Sequence, residues 1–353
     1  MSAKRLKILA VFAVLSVLAA TWAVRHELSS WAKPEQGDKF FPALAERLDT
    51  VKRIQVSQGD RTLTFKRSQD EWVLAESDDY PLNPNFVQDV LRNLSELARL
   101  ERKTGKPELL PRLHLRDPQA KGAQSRRLVL LGANDAVLAD LIVGKENLLL
   151  QVISEGGVYV RLPDSNQAWL ASGDLKVGSK PKDWLKNPIL NVPRGRIERA
   201  TVSQPNGDRL VVVRSRETEG GFKLEGLGND EELVSEYYPS DIARALEDLE
   251  LMDARRRDRI EFPADKTTRA EFLTADGLVV RLELTDTGSA TWLRVASVSF
   301  VKREETANPK ALAEEARRLT EATKNWAYSV PEFESVHLKK RRDAVVKRRG
   351  SES

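Results

Sequence analysis

The chain has 353 residues, 41% of them hydrophobic and 31% charged, with 57 Lys and Arg against 53 Asp and Glu for a formal charge of +4. That balance describes an ordinary soluble surface around a normal core, with room for two domains or one long one. It excludes a disulfide framework, metal-binding cysteines and lipid attachment through cysteine, because the chain has no cysteine.

Residues 1–7 form a basic start with Lys4, Arg5 and Lys7, followed at 8–24 by the uncharged run ILAVFAVLSVLAATWAV, closed by Arg25. As a helix these residues rise about 26 Å, slightly less than a hydrocarbon core of about 30 Å. Leu6 and the apolar stem of Lys7 extend the span, and Trp22 falls where an indole prefers the membrane interface. Three cations on the short side place that end in the cytoplasm. The expectation is an uncleaved single-pass anchor in the inner membrane, a linker at 25–38 and a periplasmic body. A cleaved signal peptide is the competing reading, but its best small-residue pair, at Val17 and Ala19, lies inside the apolar run.

The body carries an internal repeat. Residues 51–74 read VKRIQVSQGDRTLTFKRSQDEWVL and residues 197–224 read IERATVSQPNGDRLVVVRSRETEGGFKL. Each has a V-S-Q strand, a Gly-Asp turn, an apolar alternation and an aromatic, Trp72 or Phe222, which predicts antiparallel hairpins. A helix follows in both copies. In the first, Asn83 caps, Pro84 opens, and Phe86, Val87, Val90, Leu91, Leu94, Leu97 and Ala98 form the buried stripe. In the second, Ser240 caps and the stripe is Ile242, Ala245, Leu246, Leu249 and Met252. Closing hairpins are expected at 128–142, turning at Asn134-Asp135, and at 270–284, turning at Asp276-Gly277. Further strands are expected at 148–153, 158–162 and 291–299.

The fold class expected is therefore α+β: an N-terminal transmembrane helix and two duplicated units of antiparallel strands, each with a packed helix. The first unit is set at 39–180 and the second at 197–334. A proline-rich connector at 181–196 holds Asp183-Trp184-Leu185 as a docked turn. The second unit includes a helix capped by Asn308, with Pro309 in its first turn and a seam of Leu312, Ala316, Leu319, Thr323 and Trp326. Residues 335–353 are read as a basic tail. From 339 onward it holds seven cations and two acids, an excess larger than that of the whole chain. The body before it is close to neutral, so a nucleic-acid-binding face is not indicated. The tail is expected to be solvated, or to touch anionic lipid or an acidic partner.

The chemistry-bearing residues form no recognisable constellation. His26, His114 and His337 are scattered, with no metal partner at helical or hairpin spacing. GDLKVGSK at 173–180 lacks the Gly-Lys-Ser/Thr order of a phosphate loop. Ser179 to Lys182 satisfies S-x-x-K, but Lys103-Thr104-Gly105 precedes it, the reverse of the penicillin-binding order. The acids Asp78-Asp79 and Asp230, Glu231, Glu232 fall in loops, where solvation is the default. Trp169, Trp184 and Trp292 would favour ligand binding if they lined a cleft, and are core residues otherwise. No catalytic, cofactor-binding or metal-binding residue is assigned, and no cofactor is expected.

The run FFPALAERLDTVKRIQVSQGDRTLTFKRSQDEWVL at 40–74, with Val158-Tyr159-Val160-Arg161, Asp183-Trp184-Leu185 and Trp326-Ala327-Tyr328, resembles the bacterial family named domain of unknown function 4340. The resemblance implies an envelope protein with an N-terminal anchor, often encoded beside an ABC-type transport system of the gliding-motility kind. It supplies no catalytic residues, and the basic tail departs from its pattern. The functional expectation is a non-catalytic, membrane-anchored periplasmic accessory or scaffold protein with an ABC-type transporter as partner. The alternative is a periplasmic module binding a ligand or cell-wall glycan.

Overall fold

The computed structural model describes residues 37–69, 71–153, 156–218, 220–303 and 306–349. The expected anchor at 8–24 and the flanking residues 1–7 and 25–36 lie outside the described residues. Among those described, no helix is long and apolar enough to cross a membrane. The chain divides into two compact units, Met1–Trp72 with Pro84–Ser179 and Val73–Asn83 with Lys180–Ser353.

The first unit follows the alternation of its sequence. In β1 (Arg53–Gln58) Ile54 and Val56 are buried, and in β2 (Arg61–Ser68) Leu63 and Phe65 are, because side chains two apart share a face. Gly59 turns between them at a φ of 62°, a left-handed conformation that glycine adopts without steric cost. The elements β3 (Glu71–Leu74), β4 (Tyr80–Pro81), α1 (Pro84–Glu96), β5 (Ala98–Arg102), β6 (Arg126–Leu131), β7 (Val137–Glu146), α2 (Leu148–Ile153), β8 (Gly157–Arg161) and β9 (Trp169–Ser172) follow. Beyond the β4–β3 pair the sheet runs β3-β2-β1-β6-β7-β8-β9-β5. Its pairs β1–β2, β1–β6, β6–β7, β7–β8, β8–β9 and β5–β9 are antiparallel. Helix α1 buries Val87, Val90, Leu91 and Leu94 as its spacing predicts, but stops at Glu96, so Ala98 opens β5 instead.

The second unit holds β10 (Ile197–Ser203), β11 (Arg209–Arg214), β12 (Phe222–Leu224), β13 (Glu231–Leu233), α3 (Tyr238–Ala243), β14 (Asp253–Arg256), β15 (Thr268–Thr274), β16 (Leu278–Asp286), β17 (Thr291–Phe300), α4 (Pro309–Thr323), β18 (Trp326–Val330), α5 (Glu332–Lys339) and β19 (Val346–Arg348). Its main sheet runs β12-β11-β10-β15-β16-β17-β18-β14. Matching β3 with β12, β2 with β11, β1 with β10 and onward to β5 with β14 gives the same order for eight strands of each sheet, β4 having no counterpart. The duplication read from V-S-Q and the Gly-Asp turns is thus a duplication of topology. Helix α4 is added between β17 and β18, with Asn308 accepting from the Ala311 N–H at 3.1 Å, and it packs on β17.

Three expectations need correction. The strand expected at 148–153 is helix α2: the Asn147 carboxamide accepts from the N–H of Leu149 and Leu150, and the N–H of Asn147 donates to Gly157. The chain closes β7 onto β8 at that point, leaving 148–153 no ladder partner. Ser240 does not cap the second helix but lies buried inside it, accepting from Arg194 at 2.6 Å. That helix ends at Ala243, after which Ala245 and Glu247 donate to the carbonyls of Ile242 and Arg244 in tighter turns and Asp248 is left-handed at a φ of 50°. Thirdly, residues 335–349 of the expected tail are folded: α5 runs through Lys339, and β19 pairs with β13, Glu231 opposite Arg348 and Glu232 opposite Lys347.

Candidate functional site

In the second unit a cavity of about 580 Å³ opens between the chain following α3 and helix α5. Phe333, Glu334 and His337 line it from α5, where positions three and four apart share a face. Asp241, Arg244, Glu247, Asp248 and Glu250 line it from the other side. Five carboxylates thus face one arginine and one histidine, and Phe333 stands 66% exposed among them.

The electrostatics follow from this crowding. Burial raises the Glu334 carboxyl above its usual range, the N–H of Glu250 works against that, and the charges of Glu250 and Asp248 raise it further. His337 Nδ1 lies 3.7 Å from Asp241 Oδ2. That nitrogen is buried and makes no hydrogen bond among the described residues. The His337 carbonyl accepts from the buried Tyr238 hydroxyl at 2.8 Å, which fixes α5 against α3. Arg244 and Glu247 form a 3.6 Å pair. Such a concavity attracts positively charged groups, and the exposed Phe333 ring adds an apolar and cation–π surface. Among the described residues, no group of three or more His, Cys, Asp or Glu could hold a metal ion.

A second cluster is buried and structural. Tyr80 meets the Trp326 ring edge-on at 4.8 Å and the Tyr328 ring at 6.0 Å, and its hydroxyl donates to the Lys186 carbonyl at 3.2 Å. Burial pushes the Tyr80 phenol up to about 12. Nearby, the Ser77 hydroxyl donates to Asp253 at 2.5 Å, Asp78 accepts from the Arg256 N–H at 2.9 Å, and the Arg256 guanidinium lies 4.3 Å from the Trp326 ring centre. The Trp326-Ala327-Tyr328 motif is therefore the bed on which residues 77–80 rest.

The other residues weighed from sequence are scattered. His114 ends a 3-10 turn at a φ of 54°, its imidazole pKa lowered by burial and then by Lys145 and Arg126. In 173–180 Leu175 and Val177 are buried and the Val177 carbonyl accepts from Arg126, so this is a packed loop. Lys103 pairs with Glu101, and Thr104 accepts from the N–H of Lys106. Trp184 is fully buried, while Trp169 in β9 and Trp292 in β17 are half-buried. Asp78 and Glu231 are not solvated loop acids: the first closes the β14 edge, and the second pairs with Arg342 at 2.5 Å. Of the two described histidines, His337 lines the acidic cavity and His114 does not. His26 lies outside the described residues. The apolar stripe of residues 240–252 dominates their pattern and hides the acids of that cavity. The signal was present, since Asp241, Arg244 and Asp248 recur at helical spacing on the opposite side.

Fold and sites together define a duplicated antiparallel α+β protein whose accessible concavity suits binding. The chain belongs to the family described as Domain of unknown function (DUF4340), whose family model matches residues 72–269. The match runs from β3 of the first repeat to β15 of the second, so the family pattern spans both repeats. It takes in 158–161 and 183–185, but most of 40–74 and all of 326–328 fall outside it. No curated protein and no solved structure matches the chain.

Proposed function

We propose that this protein is a non-catalytic accessory or scaffold component of a membrane complex. Residues 8–24 hold it in the inner membrane with its N-terminus in the cytoplasm, and its two units work in the periplasm with an ABC-type transport system. The observation that carries this reading is the uncharged run at 8–24, bounded by Lys7 and Arg25, ahead of a duplicated body. The exposed apolar residues Tyr237 and Phe333, each lining a cavity, support a partner-binding role, since exposed large apolar groups beside cavities mark contact surfaces. Purification of the full chain from membranes in mild detergent tests it. A transporter subunit is expected to come with the chain in fixed proportion, and a chain that emerges alone overturns the accessory role. The acidic cavity favours a second reading, a periplasmic module for a cationic ligand, which that second outcome would leave standing.

A further inference from the structure

A closed strand edge is seen at the end of β3. In the β3–β4 hairpin, Leu74 pairs with Tyr80 and Val73 with Pro81, and the Leu74 carbonyl accepts from the Asp79 N–H at 3.0 Å. Pro81 has no N–H to offer a further strand. In the second repeat β12 holds the equivalent place, last in its sheet with β11 as its one neighbour.

The ladder fixes which β12 groups point outward. The Ser215 N–H donates to Gly221 and the Glu225 N–H to Val211, so residues 221, 223 and 225 face β11. Phe222 and Leu224 therefore turn their N–H and C=O groups away from it. The Phe222 carbonyl accepts from the Thr218 hydroxyl at 3.0 Å. Among the described residues, nothing bonds the outward N–H and C=O of Leu224.

The segment that would close this edge by analogy goes elsewhere, because β13 pairs with β19. Beside β12 it leaves a cavity of about 470 Å³ walled by Phe222, Leu224, Leu227, Leu233 and Tyr237. Tyr237 is 61% exposed. An open strand edge beside an apolar pocket is the geometry of strand addition, in which main-chain bonds give affinity and the pocket selects side chains.

We infer that β12 is a docking edge for one extended segment of a different protein, with a large apolar or aromatic residue opposite Leu224 followed by proline, as in Tyr80-Pro81. The described residues of a second copy do not supply it. Its own Tyr80-Pro81 arm is buried against Trp326 and Tyr328, and its β19 is paired with β13. This inference rests on the reading of the chain as a partner-binding protein and says where the partner is held.

The test adds a synthetic peptide of the sequence AESDDYPLN, that of residues 75–83, to the full chain and follows binding and residue-level amide exchange. Slowed exchange at the Leu224 amide is expected. Leu227→Asp, in the pocket wall, and Leu224→Pro, which removes the outward N–H, are each expected to weaken binding roughly tenfold or more. Leu227→Asp should leave the melting curve unchanged, which keeps the test open if the proline variant does not fold. The inference is overturned by absence of binding, by binding that neither variant weakens, or by exchange that changes at Trp326 to Val330 and not at Leu224. It is also overturned if Leu224 becomes protected without peptide as protein concentration rises, since a second copy is then the occupant. Peptide binding with failed co-purification would sink the accessory role and leave the docking edge intact. The reverse pattern would sink the edge alone.

Discussion

Glu334 concentrates the electrostatic tension of the acidic cavity in one side chain. Its folded pKa is raised first by burial, against which the Glu250 N–H works, and further by the charges of Glu250 and Asp248. Asp241 and Glu247 add negative charge across the cavity, against Arg244 and His337. The native state therefore binds this proton more tightly than the unfolded chain does. Stability from this group is fully present below the unfolded value near 4.5 and is lost as pH rises through the raised folded value. Glu334→Gln, which cannot ionise, is expected to raise the melting temperature at about pH 8 and to leave it nearly unchanged at about pH 4. Melting curves across that range check it, and an equal shift at both ends would contradict it. Such detail was only partly legible in the sequence. The aliphatic stripes of α1 and of residues 242–249 can be read from spacing alone. Asp78 cannot, because its partner is the main chain of Arg256, far along the sequence, and a loop carboxylate carries no local sign of so distant a donor.

The pairing of β13 with β19 shows the same limit for whole elements. The acids 230–232 and the cations beyond 339 each read as solvated, because charge runs usually are. Folded, they answer one another. Arg342 pairs with Glu231 at 2.5 Å and also donates to the Gly226 carbonyl, Lys347 pairs with Glu232 at 3.3 Å, and the Arg349 N–H donates to Asp230. The Glu231 carboxyl is held below its usual range first by the Gly228 N–H and then, against the cost of burial, by Arg342. Arg342→Ala is expected to speed amide exchange in Glu232, Val234 and Lys347, whose N–H groups face the partner strand, at low ionic strength, with little change elsewhere. The effect should shrink at about 1 M salt, where the screening length falls to about 3 Å. Salt-independent acceleration would show that packing, not charge, holds the strand. Residues 148–153 illustrate the opposite error. A short aliphatic run suits strand or helix equally, and here a neighbouring hairpin that closes early decides the matter.

At the scale of the whole molecule the repeat was the most legible feature, since turns, aromatics and helices keep their order in both halves. What spacing alone did not disclose is that eight strands of each sheet share one order, for that depends on pairings between distant segments. The absence of cysteine makes the proposed orientation testable with a single label. Ser289→Cys, in the exposed turn before β17, is expected to react with a membrane-impermeant maleimide in intact spheroplasts. Ser2→Cys is expected to react only after lysis, and the reverse pattern would overturn the orientation. The assignment of Val73–Asn83 to the second unit has a further consequence for how the molecule is made. A fragment starting at Lys180 would lack Tyr80 and bare the faces of Trp326 and Tyr328 that it covers. On the ribosome, residues 77–80 emerge some 250 residues before that bed exists, since Trp326 follows Ser77 by nearly the length of both repeats. The last strand pairs of the second unit thus complete a surface whose cover was synthesised first, and no single cut in the chain separates the two units intact.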